Sequence, residues 1–340
     1  MTADVRHHAG HTVVTIEHES ALLAGNPLGD PHRREILVLA PREPAERPLP
    51  AVYLLSGFGS RGRGLLGDHV LGGGLAGVIG GLAGAGRLPP AYVVLPDCTT
   101  RFGGSQYLDS PMCGPYQRYL VDEVVAAVDE RFPTVRAAEG RAVAGKSSGG
   151  YGAIMAAALR PGVFGHVIAH TPDAGFEHCY LSLLPRVLDT LAERGGIAAL
   201  TGPGYEGPFD AAFMVAMSLV AMGACYAPEG TRDPAAAFVC DPDTGRFRDE
   251  VWRSWLSHDP VRAAAERAPA LRELGCFFLD AGSRDEYGMR WGVRALHSAL
   301  TAAGVPHTFE EHAGGHHGIE HRFARSLSVL GRHWGAPCAG

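Results

Sequence analysis

The sequence predicts an α/β fold: a mostly parallel sheet of about eight strands, helices on both faces, and a helical insertion after the sixth strand. Short β-rich runs recur along the 340 residues, helical patterns separate most of the later ones, and one connection is far longer than the others. Strands that alternate with helices pair in parallel, because each crossover helix buries its apolar side on a sheet face.

The leading runs, residues 11–16 and 35–40, have no helical pattern between them, and the Pro- and Arg-rich stretch 41–50 reads as a loop between strands. Further strands are predicted at 51–55, 91–95, 141–144, 163–169, 276–279 and 307–311. Within 116–132, Leu120, Val124, Val128 and Phe132 recur every four residues, the spacing of one buried helix face. Residues 150–159, 290–303 and 319–334 also read as helices. Residues 62–86 hold eleven glycines; since a glycine inside a helix costs roughly 1 kcal/mol against alanine, this stretch reads as a loop plus a poor helix. Residues 174–259 are too long for an ordinary connection and must carry helices of their own. They read as a lid or cap segment inside a single domain spanning 1–340. The longest apolar run, 211–225, is interrupted only by Ser218 and Gly223. It falls short of the ~20 residues that span a bilayer and reads as a core or lid helix.

Composition narrows the function. Hydrophobic content of 46% against 19% charged residues describes a soluble globular protein. A formal charge of −6 with no dense Lys/Arg run leaves no surplus to neutralise a phosphate backbone, so neither nucleic acid nor membrane is an expected partner. The first ten residues lack the apolar stretch of a secretory signal, which points to the cytoplasm. The seven cysteines (Cys98, Cys113, Cys179, Cys225, Cys240, Cys276, Cys338) are odd in number and without C-x-x-C spacing. They read as reduced thiols, with neither a disulfide framework nor a zinc site. A small-molecule partner remains, with a homodimer left open.

The chemistry is concentrated at Gly145-Lys146-Ser147-Ser148-Gly149, which follows a short apolar strand and precedes a helix of small residues. This is G-x-S-x-G in the strand-to-helix context that makes its serine a nucleophile. The helix amino-terminus adds partial positive charge where an oxyanion develops, with the Ser148 N–H as one donor. A serine hydroxyl needs a base, and the base needs an orienting carboxylate. In chain order the acid comes next: Asp285, on the loop beyond the strand 276–279, with Asp280 and Glu286 as alternatives. His316 is the expected base, because it follows Gly314-Gly315 and precedes the last helix; His317 and His312 are alternatives. The loop after the third strand, Gly57-Phe58-Gly59, is expected to supply the second oxyanion donor from Phe58, with Gly57 close behind. Gln106, Tyr107, Lys146 and Met214 are the expected substrate contacts, and Phe213, Met217 and Met222 join Met214 as candidates to cover an acyl chain.

At Leu54-Leu-Ser-Gly-Phe-Gly59, Pro96-Asp-Cys98, Gly103-Gly-Ser-Gln-Tyr107, Gly145-Lys-Ser-Ser-Gly-Gly-Tyr-Gly152, His170-Thr-Pro-Asp173, Leu279-Asp-Ala-Gly-Ser-Arg-Asp285-Glu286 and Gly314-Gly-His316 the chain resembles the putative esterase family of α/β-hydrolases. That family includes S-formylglutathione hydrolases, feruloyl esterases, enterochelin esterases and mycolyltransferases. The resemblance covers residues 20–332 and implies an α/β-hydrolase fold and a carboxylic ester hydrolase with Ser147, Asp285 and His316 as triad. Lys146 and Ser148 depart from the hydrophobic neighbours that many relatives place beside the nucleophile, and 174–259 is similar to a bacterial subgroup rather than to the formylglutathione enzymes.

The expected reaction is therefore acyl transfer from a small-molecule ester through an acyl-enzyme, with no cofactor and no metal. An acyltransferase using the same site is the alternative. A metal enzyme built on His312, His316, His317 and His321 lacks H-E-x-x-H spacing, and an inactive scaffold acting as a binding module would not need all three triad residue types.

Overall fold

The computed structural model describes residues 5–8, 11–43, 45–66, 74–202 and 205–337. Residues 1–4 and 9–10 of the amino-terminal reading, part of the glycine-rich stretch 62–86, and Cys338 lie outside them.

Nine strands form one sheet: β1 (Val5–His8), β2 (His11–Glu19), β3 (Arg33–Pro41), β4 (Ala51–Leu55), β5 (Tyr92–Pro96), β8 (Arg141–Lys146), β9 (His166–His170), β10 (Cys276–Gly282) and β11 (Thr308–His312); β6 (Asp109–Ser110) and β7 (Gly114–Pro115) make a separate two-residue ribbon. The order is β1-β2-β3-β5-β4-β8-β9-β10-β11. The pairs from β5 to β11 are parallel, and β1, β2 and β3 run antiparallel at one edge. Eight of the nine strands match the predicted runs; β1 is additional.

Pleat alternation sorts the apolar side chains into two layers. Val52, Leu54, Ala142, Ala144, Ile168 and Phe278 pack with α2 (Gly74–Gly84) and α13 (Glu320–His333). Tyr53, Leu55, Val143, Val167, Ala169 and Leu279 face the opposite layer, which includes α5 (Ser148–Leu159), α11 (Pro260–Arg272) and α12 (Met289–Ala302). Ahead of α2 lies α1 (Gly62–Leu66). The predicted helix over 116–132 is three pieces, α3 (Tyr116–Arg118), a π-helical turn (Tyr119–Val124) and α4 (Val125–Arg131). Phe132 caps it in extended backbone, as a residue preceding Pro133 must.

The long connection carries α6 (Phe176–Cys179), α7 (Leu184–Glu193), α8 (Gly196–Thr201), α9 (Ala211–Cys225) and α10 (Asp249–Leu256). The Asp259 side chain joins its two ends. The Asp259 carboxylate accepts from the N–H groups of Gly175 (3.0 Å) and Phe176 (2.9 Å) where the segment begins and from Val261 N–H (3.0 Å) where α11 starts.

The strand order reverses around β4, which β5 flanks on one side and β8 on the other. In open α/β sheets a crevice forms at such a point, beyond the carboxyl ends of the strands. The loops leaving β4, β8, β9, β10 and β11 meet there, and they carry Phe58, Ser147, Asp173, Asp285 and His316 in turn. Among the described residues no helix is long and apolar enough to cross a membrane, and the six described cysteines are free and buried.

Candidate active site

Ser147 stands between β8 and α5 at φ 56°, ψ −128°, a left-handed backbone conformation that an L-residue adopts only where its surroundings impose it. Its N–H donates to His170 O (2.9 Å) and its carbonyl accepts from Tyr151 N–H (2.9 Å), locking the turn to β9 and to the first turn of α5. The motif glycines are sterically required. A Cβ on Gly145 would lie 2.3 Å from the Gly149 carbonyl carbon, and one on Gly149 would lie 2.2 Å from Leu55 O. Strand and helix thus cross too closely for any side chain there.

Asp285 lies just past β10. Its Oδ2 accepts from Thr171 Oγ1 (2.6 Å) and meets His316 Nδ1 at 2.8 Å, and its Oδ1 accepts from the N–H groups of Tyr287 (3.0 Å) and Met289 (3.3 Å). Burial pushes this carboxyl's pKa up, but the His316 hydrogen bond and charge, with Thr171 and the Tyr287 N–H, outweigh it and hold the acid below its usual range. With the carboxylate on Nδ1, the His316 ring keeps its proton there and leaves Nε2 as the basic atom. The loop is fixed from behind: Glu286 Oε2 accepts the His316 backbone N–H (2.7 Å), and Arg284 N–H donates to Gly314 O (3.0 Å).

Ser147 and His316 line one cavity of about 1100 Å³. No hydrogen bond joins Ser147 Oγ to a described residue, and such contacts commonly close only when substrate binds. His317 lines the same cavity, but its Nε2 is paired with Tyr287 OH (3.2 Å). His312 Nδ1 accepts from Gly314 N–H (3.1 Å). Asp280 is occupied elsewhere: both it and His170, whose Nδ1 it bonds (2.8 Å), are fully buried, and its other oxygen accepts from Nε of the partly buried Arg322 (2.9 Å). Among the described residues no group of three or more His, Cys, Asp or Glu is arranged to hold a metal ion.

The loop after β4 runs beside Ser147: a Cβ on Gly57 would sit 3.7 Å from Ser147 Cβ. The Phe58 ring covers Gly103 and Gly104, and the loop is pinned by Gly59 N–H donating to Gly103 O (3.1 Å). Neither the Phe58 nor the Ser148 N–H has a hydrogen-bond partner among the described residues.

One face of α9 walls the cavity through Met214, Val215, Ser218, Leu219 and Met222, and α2 adds Leu75 and Val78. Met214 also reaches the β4 loop, where a Cβ on Gly59 would meet its Cε at 2.6 Å. Phe213 and Met217 are buried in the core instead. Lys146 lines the cavity, its pKa pulled down by burial against the opposing pull of Glu320, Asp285 and Glu286.

Gln106 and Tyr107 differ from expectation. Both have positive φ (49° and 55°) and both are buried, outside the cavity lining. Tyr107 OH donates to Ser56 O (2.7 Å), and Gln106 Nε2 donates to Asp173 Oδ2 (2.8 Å) and Tyr226 OH (2.9 Å). They buttress the β4 loop and the wall behind Ser148 rather than a ligand. Sequence reasoning gave no role to Thr171, which holds Asp285, or to Asp173, which lines the cavity; their only signal was the segment His170-Thr-Pro-Asp173 at a strand's carboxyl end.

The model of the family described as "Putative esterase" matches residues 31–329. None of the curated proteins matches the chain. Among solved structures, the chain is similar to an S-formylglutathione hydrolase from Agrobacterium tumefaciens (TM-score 0.60, 16% identity, 99% of each chain covered). It is also similar to a fluorophosphonate-binding serine hydrolase of Staphylococcus aureus (0.58, 15%, 94% of this chain and 98% of that one). A third is a ferulic acid esterase from Anaeromyces mucronatus (0.55, 15%, 95% and 92%). At these identities the likeness establishes the α/β-hydrolase fold.

Proposed function

Because the chain belongs to the family of esterases described as "Putative esterase", we propose that it is a serine carboxylic ester hydrolase with Ser147 as nucleophile, His316 as general base and Asp285 as the acid that orients it. The observation that carries this reading is the meeting of a left-handed Ser147 and the Asp285–His316 pair on one cavity at one sheet edge.

In the first step His316 Nε2 takes the Ser147 proton as Oγ bonds to the ester carbonyl carbon. The resulting oxyanion accepts from the Phe58 and Ser148 N–H groups, each contributing about 3 kcal/mol to the transition state. The C–O bond to the alcohol then breaks, and the imidazolium returns its proton to the departing oxygen. Water repeats the sequence on the acyl-enzyme, releasing the acid and free Ser147. An alcohol in place of water makes the same site an acyltransferase, and product analysis with and without added alcohol separates the two. The α2 and α9 walls offer the acyl chain an apolar slot, so the segment carrying α9 acts as a cap on the site.

The test is covalent labelling by a fluorophosphonate together with turnover of p-nitrophenyl esters. Wild type is expected to be labelled at Ser147 and to hydrolyse the ester, and Ser147→Ala to do neither while melting like wild type. An unlabelled wild-type protein, or a Ser147→Ala variant that retains turnover, refutes the assignment.

A further inference from the structure

Behind Ser148 lies a polar cluster that the reaction above does not use. Asp173, on the loop after β9, is 2% exposed and borders the cavity. Three donors converge on one of its oxygens: Oδ2 accepts from Gln106 Nε2 (2.8 Å), Tyr180 OH (2.9 Å) and Ser148 Oγ (3.3 Å). Its other oxygen, Oδ1, is enclosed and has no hydrogen-bond partner among the described residues, and the same is true of Oε1 of Gln106, the very amide that bonds Oδ2. Two enclosed acceptors without a donor are costly. A single proton on Oδ1 makes that oxygen a donor, and the Gln106 amide oxygen, Oε1, is the acceptor in need of one.

We infer that Asp173 is held as a neutral carboxylic acid, paired at two points with the Gln106 carboxamide, and that this neutral clamp positions Ser148 for its part in the oxyanion site. The inference rests on the function proposed above for its catalytic meaning, though not for the charge state itself.

The surroundings agree. The titratable groups that face Asp173 are Tyr151 on α5, Cys179 on α6 with Tyr180 after it, Tyr226 at the end of α9, and His316 on the loop before α13. No lysine or arginine is among them. Burial raises the Asp173 pKa, against the hydrogen bonds from Gln106 and Tyr180, the His316 charge and the Ser148 hydrogen bond. Neutrality also has a use. A negative charge bonded to the Ser148 side chain would oppose the oxyanion that forms at the Ser148 N–H, and it would compete with Asp285 for the imidazolium of His316. Ketosteroid isomerase provides the general precedent of an aspartic acid kept protonated by an apolar site so that it can donate.

The two charge states predict opposite responses to Asp173→Asn. A carboxamide reproduces the acceptor and donor of a carboxylic acid. It cannot replace a carboxylate that serves three donors. A folded-state pKa above the unfolded one means that the native state holds a proton the unfolded chain has released, so stability from this group falls as pH rises from the unfolded to the folded value. Asp173→Asn is therefore expected to melt at or above wild type at pH 8, with the gain vanishing near pH 4. In ester turnover, Asp173→Ala is expected to lower kcat by about 50-fold or more with little change in KM, as loss of oxyanion positioning should, and Asp173→Asn to restore kcat to within about fivefold of wild type. Asp173→Asn melting below wild type at pH 8, failing to fold, or matching the kcat of Asp173→Ala would overturn the inference. Were no ester turned over and Ser147 left unlabelled, the hydrolase reading would fail, yet the melting comparison would still decide the charge of Asp173.

Discussion

Asp285 owes its low pKa to its neighbours, and that dependence has a sign. Its folded-state pKa lies below the ordinary 3.8, so the native state binds fewer protons than the unfolded chain just below pH 4. The stability it contributes is complete above about pH 5 and is lost as pH falls through the folded value. Asp285→Asn should therefore flatten the acid side of a melting-temperature profile below pH 5, and should lower kcat by about 10³–10⁴-fold because the imidazole loses its orienting acceptor. An unchanged profile and rate would remove Asp285 from the site. His316→Ala should be as damaging to turnover as Ser147→Ala, while His317→Ala should cost less than about tenfold, since the His317 ring bonds Tyr287 OH and no carboxylate. A reversal of that ranking in ester assays would move the base by one position. Which histidine turns to the carboxylate was not readable from 17 histidines. Position between Gly314-Gly315 and the last helix was the clue; in the fold it is the His316 ring that meets Asp285, with its backbone N–H held by Glu286. Gln106 shows the reverse case: a polar residue beyond a strand end reads as a ligand contact, but its positive φ turns it into the protein.

Elements were legible where a repeat or a motif was long enough to outweigh chance. The four-residue spacing of Leu120, Val124 and Val128 foretold a buried helix, and it also encodes a departure from α geometry. In a straight α-helix a four-residue repeat drifts about 40° per step; the wider π turn at Tyr119–Val124 offsets part of that drift and keeps all three side chains inward. The span 174–259 was recognised by length alone, and nothing in its composition announced how it is anchored. That anchor is Asp259, with three backbone N–H groups on one buried carboxylate. Asp259→Ala removes a helix cap and two charge-assisted bonds, and should destabilise the protein by about 2–4 kcal/mol, read as a lower denaturation midpoint. A loss under about 0.5 kcal/mol would show that the segment is held by its apolar contacts instead.

At the scale of the whole molecule, the cavity is assembled from parts that lie far apart in the chain: the β4 loop, the turn at Ser147, α2, α9 and the glycine loop before α13. Its apolar walls on α2 and α9 imply that longer acyl chains bind better. Each methylene buried adds about 0.8 kcal/mol, or roughly fourfold. Accordingly kcat/KM for p-nitrophenyl butyrate, two methylenes longer, should exceed that for the acetate by about fifteenfold, and Leu219→Trp, which fills the slot, should erase the difference. A wild-type preference for acetate would show that the slot does not take the acyl group.

Eight of the nine sheet strands, the tight turn at Ser147 and the family could be read from the chain alone, because each is written in contiguous residues: alternating or continuous apolar runs, glycines where a turn leaves no room for Cβ, and a serine between them. Which carboxylate meets which imidazole is a matter of three-dimensional placement: Asp280 belongs to His170, Asp285 to His316, and Gln106 serves Asp173. Those pairings join side chains 31 to 110 positions apart. At such separations no local propensity acts; sheet register and the close crossing of strand and helix bring the partners within hydrogen-bond reach.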